Sequence, residues 1–238
     1  WAWLYAVNIY LSIQGGWVLG YIQHFWSLAV EEHFYFVWPF VVWRLGARPG
    51  VLMTVALGLA AAAFGGRVVA AAAGVSPVVT TVLTPFQLDA LLLGGFFAVW
   101  VRQPGGEAAA RRTIVPMALV AAVVILAQFG LHRFTESGLA LMRALRSGAF
   151  HLLFAALLLQ ALFVAPSSLM SRFFRHGAMA ALGKYSYGLY VYHHFFSHFF
   201  GTHGIEFVLA RAVGSHTLAV AIQATFGMGA SLAIAWVS

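Results

Sequence analysis

Apolar runs long enough to cross a membrane recur along the whole chain, and they restrict its fold more than any other feature. A hydrocarbon core of about 30 Å requires roughly 20 apolar residues for each helical span. Of the 238 residues, 62% are hydrophobic and 8% are charged, whereas soluble domains contain about 25% charged residues. The short alternating segments of a membrane barrel do not occur in the sequence. We therefore predict an all-α protein, a polytopic transmembrane helical bundle.

The apolar runs predict about seven spans. An aromatic segment over residues 1–23 precedes them, and we interpret it as the end of an earlier span followed by an interfacial stretch. The predicted spans are 25–45, 51–73, 79–101, 113–131, 147–165, 185–201 and 216–237. Tracts rich in Ala and Gly, such as residues 57–66, favour close packing between helices. No internal repeat or soluble domain is recognisable, so residues 1–238 are interpreted as a single membrane-embedded domain.

Positive charges concentrate in alternate connections between the predicted spans. The connections after the first, third and fifth spans contain Arg44 and Arg48, Arg102, Arg111 and Arg112 with Glu107, and Arg172, Arg175 and Lys184. Because Lys and Arg accumulate in cytoplasmic loops, residues 74–78 and 202–215 are predicted to lie outside. One outer connection, with Arg133, Arg143 and Arg146 against Glu136, departs from this pattern. The first span then enters from outside, with its carboxylates near the outer end.

Several classes of function are disfavoured by composition. The chain has no Cys, which excludes disulfides, thiolate metal sites and a Cys nucleophile. Its formal charge of +7 comes mostly from short connections rather than from a basic face with interleaved aromatics, so no nucleic-acid partner is predicted. His194 and His198 are spaced i, i+4 and could present two imidazoles to a metal, but no third ligand follows at a recognisable spacing. We predict no metal site, with aromatic packing at the interface as the favoured alternative.

Half of the acidic residues lie in or at the edge of predicted spans: Glu31, Glu32 and Asp89. An ionised side chain at the bilayer centre costs roughly 2.5 to 3.5 kcal/mol on insertion scales, so such residues usually face a polar interior and serve a function. We therefore expect the functional site to include these carboxylates.

One face of the first predicted span is polar. On a helix that begins near Phe25, Ser27, Glu31 and Tyr35 recur at i, i+4 and i+8, and His24 falls near the same face at its outer end. Glu32 and His33 point elsewhere, and Pro39 is expected to kink the helix. In the alternative interpretation, Glu31 only pairs with an Arg such as Arg67 or caps a helix end.

Three stretches of the sequence carry a family resemblance. The first contains Ser27, Leu28, Glu31 and Pro39, with Phe34 and Tyr35 between them. The second is TPFQLDALLLGGFFA (residues 84–98), which is similar to a segment ending in D-A-L-x-x-G. The third, LGKYSYGLYVYHHFF (residues 182–196), is similar to L-G-x-x-S-Y-x-x-Y-x-x-H. In this order and spacing they resemble acyltransferase family 3, the bacterial membrane O-acyltransferases.

The resemblance implies a larger fold than this chain contains. Family members resemble a bundle of about ten spans, so the first full span here would correspond to the fourth. The family's first motif, an Arg ten residues before a His in the first span, would hold the catalytic base, and it is missing here. The chain also begins with Trp1 and shows no cleavable signal peptide. We therefore expect an N-terminally truncated acyltransferase domain that lacks a major part of the active site.

The candidate site residues follow from the polar face and from the resemblance. Ser27, Glu31 and His193 are the candidate catalytic residues. Candidate substrate-binding or supporting residues are His24, Tyr35, Gln87, Asp89, Ser186, Tyr187 and Tyr190. Asp89 matches the family's acid, but Gln87 stands where the family usually has Arg, so the partner of Asp89 is left open. His33 stands where Gln is usual.

The implied activity is transfer of an acyl group, acetyl in the first instance, from acyl-CoA to a hydroxyl of a carbohydrate or glycosylated acceptor. Such an enzyme belongs to the acyltransferases that transfer groups other than amino-acyl groups. Acetyl-CoA or another acyl-CoA would be the donor substrate, and no bound cofactor is expected. The implied location is the bacterial inner (plasma) membrane, with the lipid bilayer around a multi-pass chain.

Acyl transfer to a hydroxyl requires a base for the hydroxyl proton and donors for the tetrahedral oxyanion. Our hypothesis is that Glu31 orients or tunes an imidazole, while Ser27 positions that imidazole or binds substrate. Two alternatives stay open: a proton-coupled transporter or flippase that uses the intramembrane acids and His, and a catalytically inactive, truncated family member that acts as a membrane partner.

Overall fold

The computed structural model of the chain describes residues 2–131 and 136–237, with side chains except at 129–131 and 136–140. Within these ranges the regular secondary structure is helical and no strand occurs. The α-helices are α1 (Val7–Gln14), α2 (Trp26–Leu45), α3 (Pro49–Ala72), α4 (Pro77–Val82), α5 (Leu88–Trp100), α6 (Gly106–Leu131), α7 (Glu136–Phe163), α8 (Leu169–Phe174), α9 (Gly177–Thr202), α10 (Ile205–Val213) and α11 (His216–Val237). Short 3-10 helices cover Ala2–Leu4, Gly20–Phe25 and Thr84–Phe86. The predicted all-α bundle is confirmed.

Four helices among the described residues are long and apolar enough to cross a membrane. They are Pro49–Ala72, Gly106–Gln128, Leu141–Phe163 and His216–Val237. Each overlaps one of the predicted spans, because runs of about 20 apolar residues favour a helix whose backbone polar groups are bonded internally. The helices α2 and α9 coincide with two further predicted segments but carry more polar residues. The count of about seven spans stays a prediction.

The continuous third span predicted over residues 79–101 is wrong. The helix α4 ends at Val82, Leu83 is extended with φ −75° and ψ 129°, and α5 begins only at Leu88. Pro85 explains the break, because proline has no backbone N–H and its ring clashes with the carbonyl four residues earlier. The side chain of Gln87 donates to the carbonyl oxygen of Thr80 over 3.2 Å. This bond satisfies a carbonyl in the last turn of α4.

The chain forms two compact units. The N-terminal unit consists of the described residues of Trp1–Trp17 and Trp26–Ala165, and the C-terminal unit consists of those of Val18–Phe25 and Pro166–Ser238. The interpretation of residues 1–238 as a single domain stays a prediction.

Small residues let the helices of the N-terminal unit approach one another closely. Ala56 and Ala60, which share one face of α3 because they are spaced i, i+4, are buried against Leu92 on α5. A Cβ placed on Gly148 of α7 would lie 2.4 Å from Cε2 of Phe64 on α3. That separation is closer than carbon atoms pack, so a side chain at position 148 would require the Phe64 ring to move. The same contact brings polar groups of the two helices together.

The C-terminal unit is built around the contact between α9 and α11. The buried face of α11 consists of small residues: Ala219, Gly227, Ser231 and Ala235. A Cβ on Gly188 of α9 would lie 2.6 Å from the Cβ of Ala235. Close contact between small residues is typical of helices that pack within membranes. The 3-10 helix Gly20–Phe25 packs against α9 in this unit.

Candidate active site

A buried ion pair with a third polar partner occupies the interior of the N-terminal unit. Asp89, in the first turn of α5, receives hydrogen bonds from Nη1 and Nη2 of Arg67 on α3, over 2.9 and 2.6 Å. Nδ1 of His151 on α7 donates to Oδ2 of the same carboxylate over 3.0 Å. Arg67 also donates to the carbonyl oxygen of Phe86. A buried carboxylate needs such a set of partners because an uncompensated charge is strongly unfavourable in a low-dielectric interior.

This arrangement supplies the partner of Asp89 that the sequence left open. Gln87 bonds to the α4 backbone, and Arg67 provides the positive charge from another helix. The alternative interpretation in which Glu31 pairs with Arg67 is wrong, since Arg67 pairs with Asp89 and Glu31 forms no ion pair among the described residues. Sequence reasoning did not select His151 or Arg67 as site residues. Their position inside predicted spans could have identified them, because ionisable residues within a membrane usually pair with one another and mark functional sites.

A second polar cluster holds the backbone where α4 and α5 separate. The Thr84 hydroxyl accepts a hydrogen bond from Nδ2 of Asn8 on α1 over 2.8 Å, and Nδ1 of His33 on α2 lies 2.8 Å from the same oxygen. The hydroxyl can donate one hydrogen bond and accept two, so the direction of the bond with His33 depends on the tautomer of the imidazole. The residue that departs from the family pattern at position 33 thus contacts the break in the third predicted span.

The predicted polar face of α2 lies within one continuous helix. Ser27 and Glu31 are half-buried, and the Tyr35 residue is 55% exposed. Glu31 forms no ion pair among the described side chains. The adjacent Glu32 is more exposed than Glu31. Ser27 and Glu31 are spaced so that they share a face of α2. Their catalytic roles stay predictions.

A cluster of imidazoles lies in the C-terminal unit. The ring of His24, in the 3-10 helix Gly20–Phe25, lies 5.5 Å from that of His193 and 4.7 Å from that of His194 on α9. Nε2 of His24 donates to the carbonyl oxygen of Val191 over 3.2 Å, and the Tyr190 hydroxyl donates to the carbonyl oxygen of His24 over 2.7 Å. Burial, with a smaller contribution from the neighbouring imidazoles, lowers the pKa of His24 to about 4. His24 is therefore neutral at neutral pH.

His193 is held in one tautomer by a backbone bond. Its Nδ1 lies 2.6 Å from the carbonyl oxygen of Tyr190. A carbonyl oxygen can only accept, so Nδ1 carries the proton and Nε2 of the neutral ring has the free lone pair. This arrangement is compatible with a general base, because one nitrogen is anchored and the other can accept a proton.

His193 lines a cavity of about 360 Å³ between α9, α10 and α11. Ser197, Glu206 and Gln223 also line it, together with apolar residues. Nε2 of Gln223 is buried and has no hydrogen-bond partner among the described residues. Glu206 is paired with His216. The lining therefore combines an imidazole with an amide whose nitrogen has no hydrogen-bond partner among the described residues.

Two candidate residues of α9 lie outside this cavity lining. Ser186 is exposed and donates to the carbonyl oxygen of Gly183 over 2.9 Å, and the Tyr187 residue is 65% exposed. They precede His193 by about two turns of the helix, so they lie at a different level from it. The structure brings Tyr190 and His24 to His193, but it does not place Ser186 or Tyr187 in that cluster.

The His-rich end of α9 offers a limited donor set for a metal. No group of three or more His, Asp or Glu residues able to hold a metal ion occurs in the part of the chain that the structure describes. Nε2 of His194 lies 3.3 Å from the carbonyl oxygen of Gly20, which makes that nitrogen a hydrogen-bond donor. The rings of His194 and His198 are 6.0 Å apart and tilted.

Comparison with known proteins identifies the family. The family model for an acyltransferase domain, that of acyltransferase family 3, matches residues 1–238. No curated protein and no solved structure gave a significant match. The helices of the chain include four that are apolar and long enough to span a membrane, as expected for a membrane acyltransferase. The match covers the whole sequence, and the chain belongs to acyltransferase family 3.

Proposed function

We propose that this protein acts in the transfer of an acyl group, acetyl in the first instance, from acyl-CoA to a hydroxyl of a carbohydrate or glycosylated acceptor. The proposed location is the bacterial plasma membrane. Membership of acyltransferase family 3 over residues 1–238 is the observation that carries this proposal. The hydrogen bond between His193 and the Tyr190 carbonyl oxygen supports a role for His193 as the base in this reaction.

The proposed reaction is a direct acyl transfer. A base takes the proton of the acceptor hydroxyl as its oxygen bonds to the thioester carbonyl carbon. The resulting tetrahedral oxyanion collapses, the carbon–sulfur bond breaks, and the proton passes from the base to the departing CoA sulfur. Such a reaction depends on a base with an accessible lone pair and on donors placed at the developing oxyanion.

His193 and Gln223 supply these two kinds of group within the C-terminal unit. The anchored Nδ1 of His193 leaves Nε2 to accept the hydroxyl proton, and the Gln223 amide, which lines the same cavity, can donate to an acceptor oxygen or to the oxyanion. In the N-terminal unit, Glu31 is proposed to orient or tune an imidazole, with Ser27 positioning that group or binding substrate. Asp89 has a supporting role, because Arg67 and His151 already bond to its carboxylate.

The test is acetyl transfer in membranes from cells that produce the protein, with radiolabelled acetyl-CoA as donor. Label should enter a carbohydrate fraction and be released by mild alkali, as expected for an ester. The variant His193→Asn retains a donor near the Tyr190 carbonyl but removes the Nε2 lone pair, and it should lower transfer by about 10²- to 10⁴-fold. Undiminished transfer would remove His193 from the mechanism.

The matched control is His203→Asn. His203 is exposed at the end of the same helix and does not line the cavity. This variant should retain the wild-type rate. If no label enters the membrane fraction with the wild-type protein, or if the label resists alkali, the proposed ester transfer is wrong.

A proton-coupled transporter is the second candidate, and one observation favours it. The interruption between α4 and α5, beside the Arg67–Asp89 pair, resembles the broken helices that bind substrate in transporters. Vesicles containing the purified protein distinguish the two. Uptake of a solute driven by a pH gradient, without any acyl-CoA, would favour transport, whereas acyl-CoA-dependent modification without flux would favour the transferase.

A further inference from the structure

A second polar cavity lies wholly within the N-terminal unit. It has a volume of about 320 Å³ and lies where α2, α3, α4 and α7 meet the residue that precedes α5. Arg67, Arg143, His151, Gln87, Thr80 and Trp26 are among the residues that line it. Its volume is within the range of about 300–1,000 Å³ typical of small-ligand pockets. Neither the family resemblance nor the proposed chemistry at His193 assigns a ligand to it.

One buried donor in this lining lacks an acceptor among the described residues. The Arg67 residue is 2% exposed, and its two Nη atoms bond to Asp89 and to the Phe86 carbonyl. Its Nε has no hydrogen-bond partner in the same part of the chain. An unsatisfied donor at a buried position is unfavourable, and the positive charge of Arg67 would attract an anion to this side of the cavity.

The charges of the lining have one sign. The cavity-lining residues that the structure describes include two Arg and one His but no Asp or Glu. Asp89 does not line the cavity, and its oxygens already bond to Arg67 and His151. Its negative charge therefore compensates the charge of Arg67 and not that of Arg143. Arg143 forms no ion pair among the described residues and adds an uncompensated positive charge. An anionic ligand would complete this set.

Arg143 also belongs to the one connection that departs from the positive-inside pattern. A positive charge at the predicted outer end of α7 opposes the orientation that the other connections favour. Arg is suited to an anionic ligand, since its planar guanidinium forms paired hydrogen bonds with carboxylate and phosphate groups.

We propose that this cavity binds the carboxylate or phosphate group of a small anionic ligand, with Arg143 as its charged donor and Arg67 adding positive charge to the lining. Gln87 and Thr81 supply neutral donors, and the ring of Trp26 forms an apolar wall. Acidic sugars and anionic lipid headgroups share this chemistry. The proposal rests on the cavity alone and does not require acyl transfer at His193.

Binding is measured by calorimetry with the purified protein in nanodiscs of zwitterionic phosphatidylcholine, using glucuronate, glucose 1-phosphate and glucose as probes. The two anions should bind and glucose should not, since it lacks the charged group. Arg143→Gln should weaken binding of both anions by about tenfold or more, because a charge-assisted hydrogen bond is lost. High salt should weaken binding in the wild type as well.

Arg146→Gln is the matched control, since Arg146 is exposed on the same helix and does not line the cavity. It should bind both anions as the wild type does. Equal binding of glucose and glucuronate, or equal losses in the two Arg variants, would overturn the proposal. Nanodiscs containing phosphatidylglycerol separate the two ligand sources: weaker glucuronate binding in them, dependent on Arg143, identifies a lipid headgroup, and unchanged binding identifies a soluble acidic ligand.

Discussion

Arg67 on α3 and Asp89 on α5 face each other in a bidentate ion pair, with Nη1–Oδ1 and Nη2–Oδ2 distances of 2.9 and 2.6 Å. Both side chains are almost completely buried. The Phe86 carbonyl and His151 bond to the two ends of the pair, which offsets part of the cost of removing the charges from water. The pair joins α3 and α5 immediately after the interruption between α4 and α5.

Removal of one partner of this pair should strongly destabilise the protein. We expect Asp89→Asn or Arg67→Met to lower the free energy of unfolding in detergent by about 3–5 kcal/mol, because each leaves a buried charge without its counter-charge. The measurement is denaturant-induced unfolding followed by circular dichroism. The exposed pair Glu107–Arg111 is the control, and Glu107→Gln should cost at most about 1 kcal/mol. Similar losses in both pairs would contradict a special role for Arg67 and Asp89.

The contact between α3 and α7 depends on the absence of a side chain at Gly148. A Cβ there would meet the ring of Phe64, so Gly148→Ala should destabilise the N-terminal unit by about 1–3 kcal/mol. Gly58 lies within α3, where an added methyl group would have nothing within 4 Å, and Gly58→Ala should be neutral or stabilising by up to about 1 kcal/mol. The measurement is the melting temperature of the two variants and of the wild type in detergent. A Gly148→Ala protein as stable as Gly58→Ala would show that Phe64 can move aside.

The two adjacent carboxylates of α2 should differ in their effect on activity. Glu31 shares a face with Ser27 and is half-buried, whereas Glu32 is exposed. We expect Glu31→Gln to lower acetyl transfer by about 10²-fold or more, while Glu32→Gln changes it little. Both variants should insert into membranes in equal amounts, which immunoblotting of the membrane fraction checks. Equal activities would remove Glu31 from the proposed site.

Acid should destabilise the C-terminal unit through His24. The folded pKa is about 4 and the ordinary value is 6.5, so between these values the unfolded chain binds more protons and stability falls as the pH falls. The melting temperature in detergent should therefore decrease between pH 7 and pH 5. His24→Asn should flatten this dependence and His203→Asn should not. An equal slope in wild type and His24→Asn would contradict a neutral, buried His24.

Much of the helical architecture was predictable because it depends on local properties of the chain. Runs such as residues 51–73 and 216–237 become helices since a bilayer allows no unsatisfied backbone groups. The interruption at Leu83–Gln87 was missed, although Pro85 is visible in the sequence, because a broken helix is stable only when other side chains bond to the freed groups. Arg67 and Gln87 do so here, at the carbonyl oxygens of Phe86 and Thr80, while Asn8 and His33 bond to the Thr84 hydroxyl beside them.

The sequence by itself determined the class of this protein, a membrane-embedded α-helical member of an acyltransferase family, because hydropathy and short motifs are properties of contiguous residues. It also led to the prediction that Asp89 and His193 belong to the functional site, and their roles stay predictions. Only the tertiary structure decided the partners: Arg67 and His151 for Asp89, and Tyr190 with His24 around His193. Partner choice depends on which helix faces approach, and packing at residues such as Gly148 and Gly188 sets those approaches.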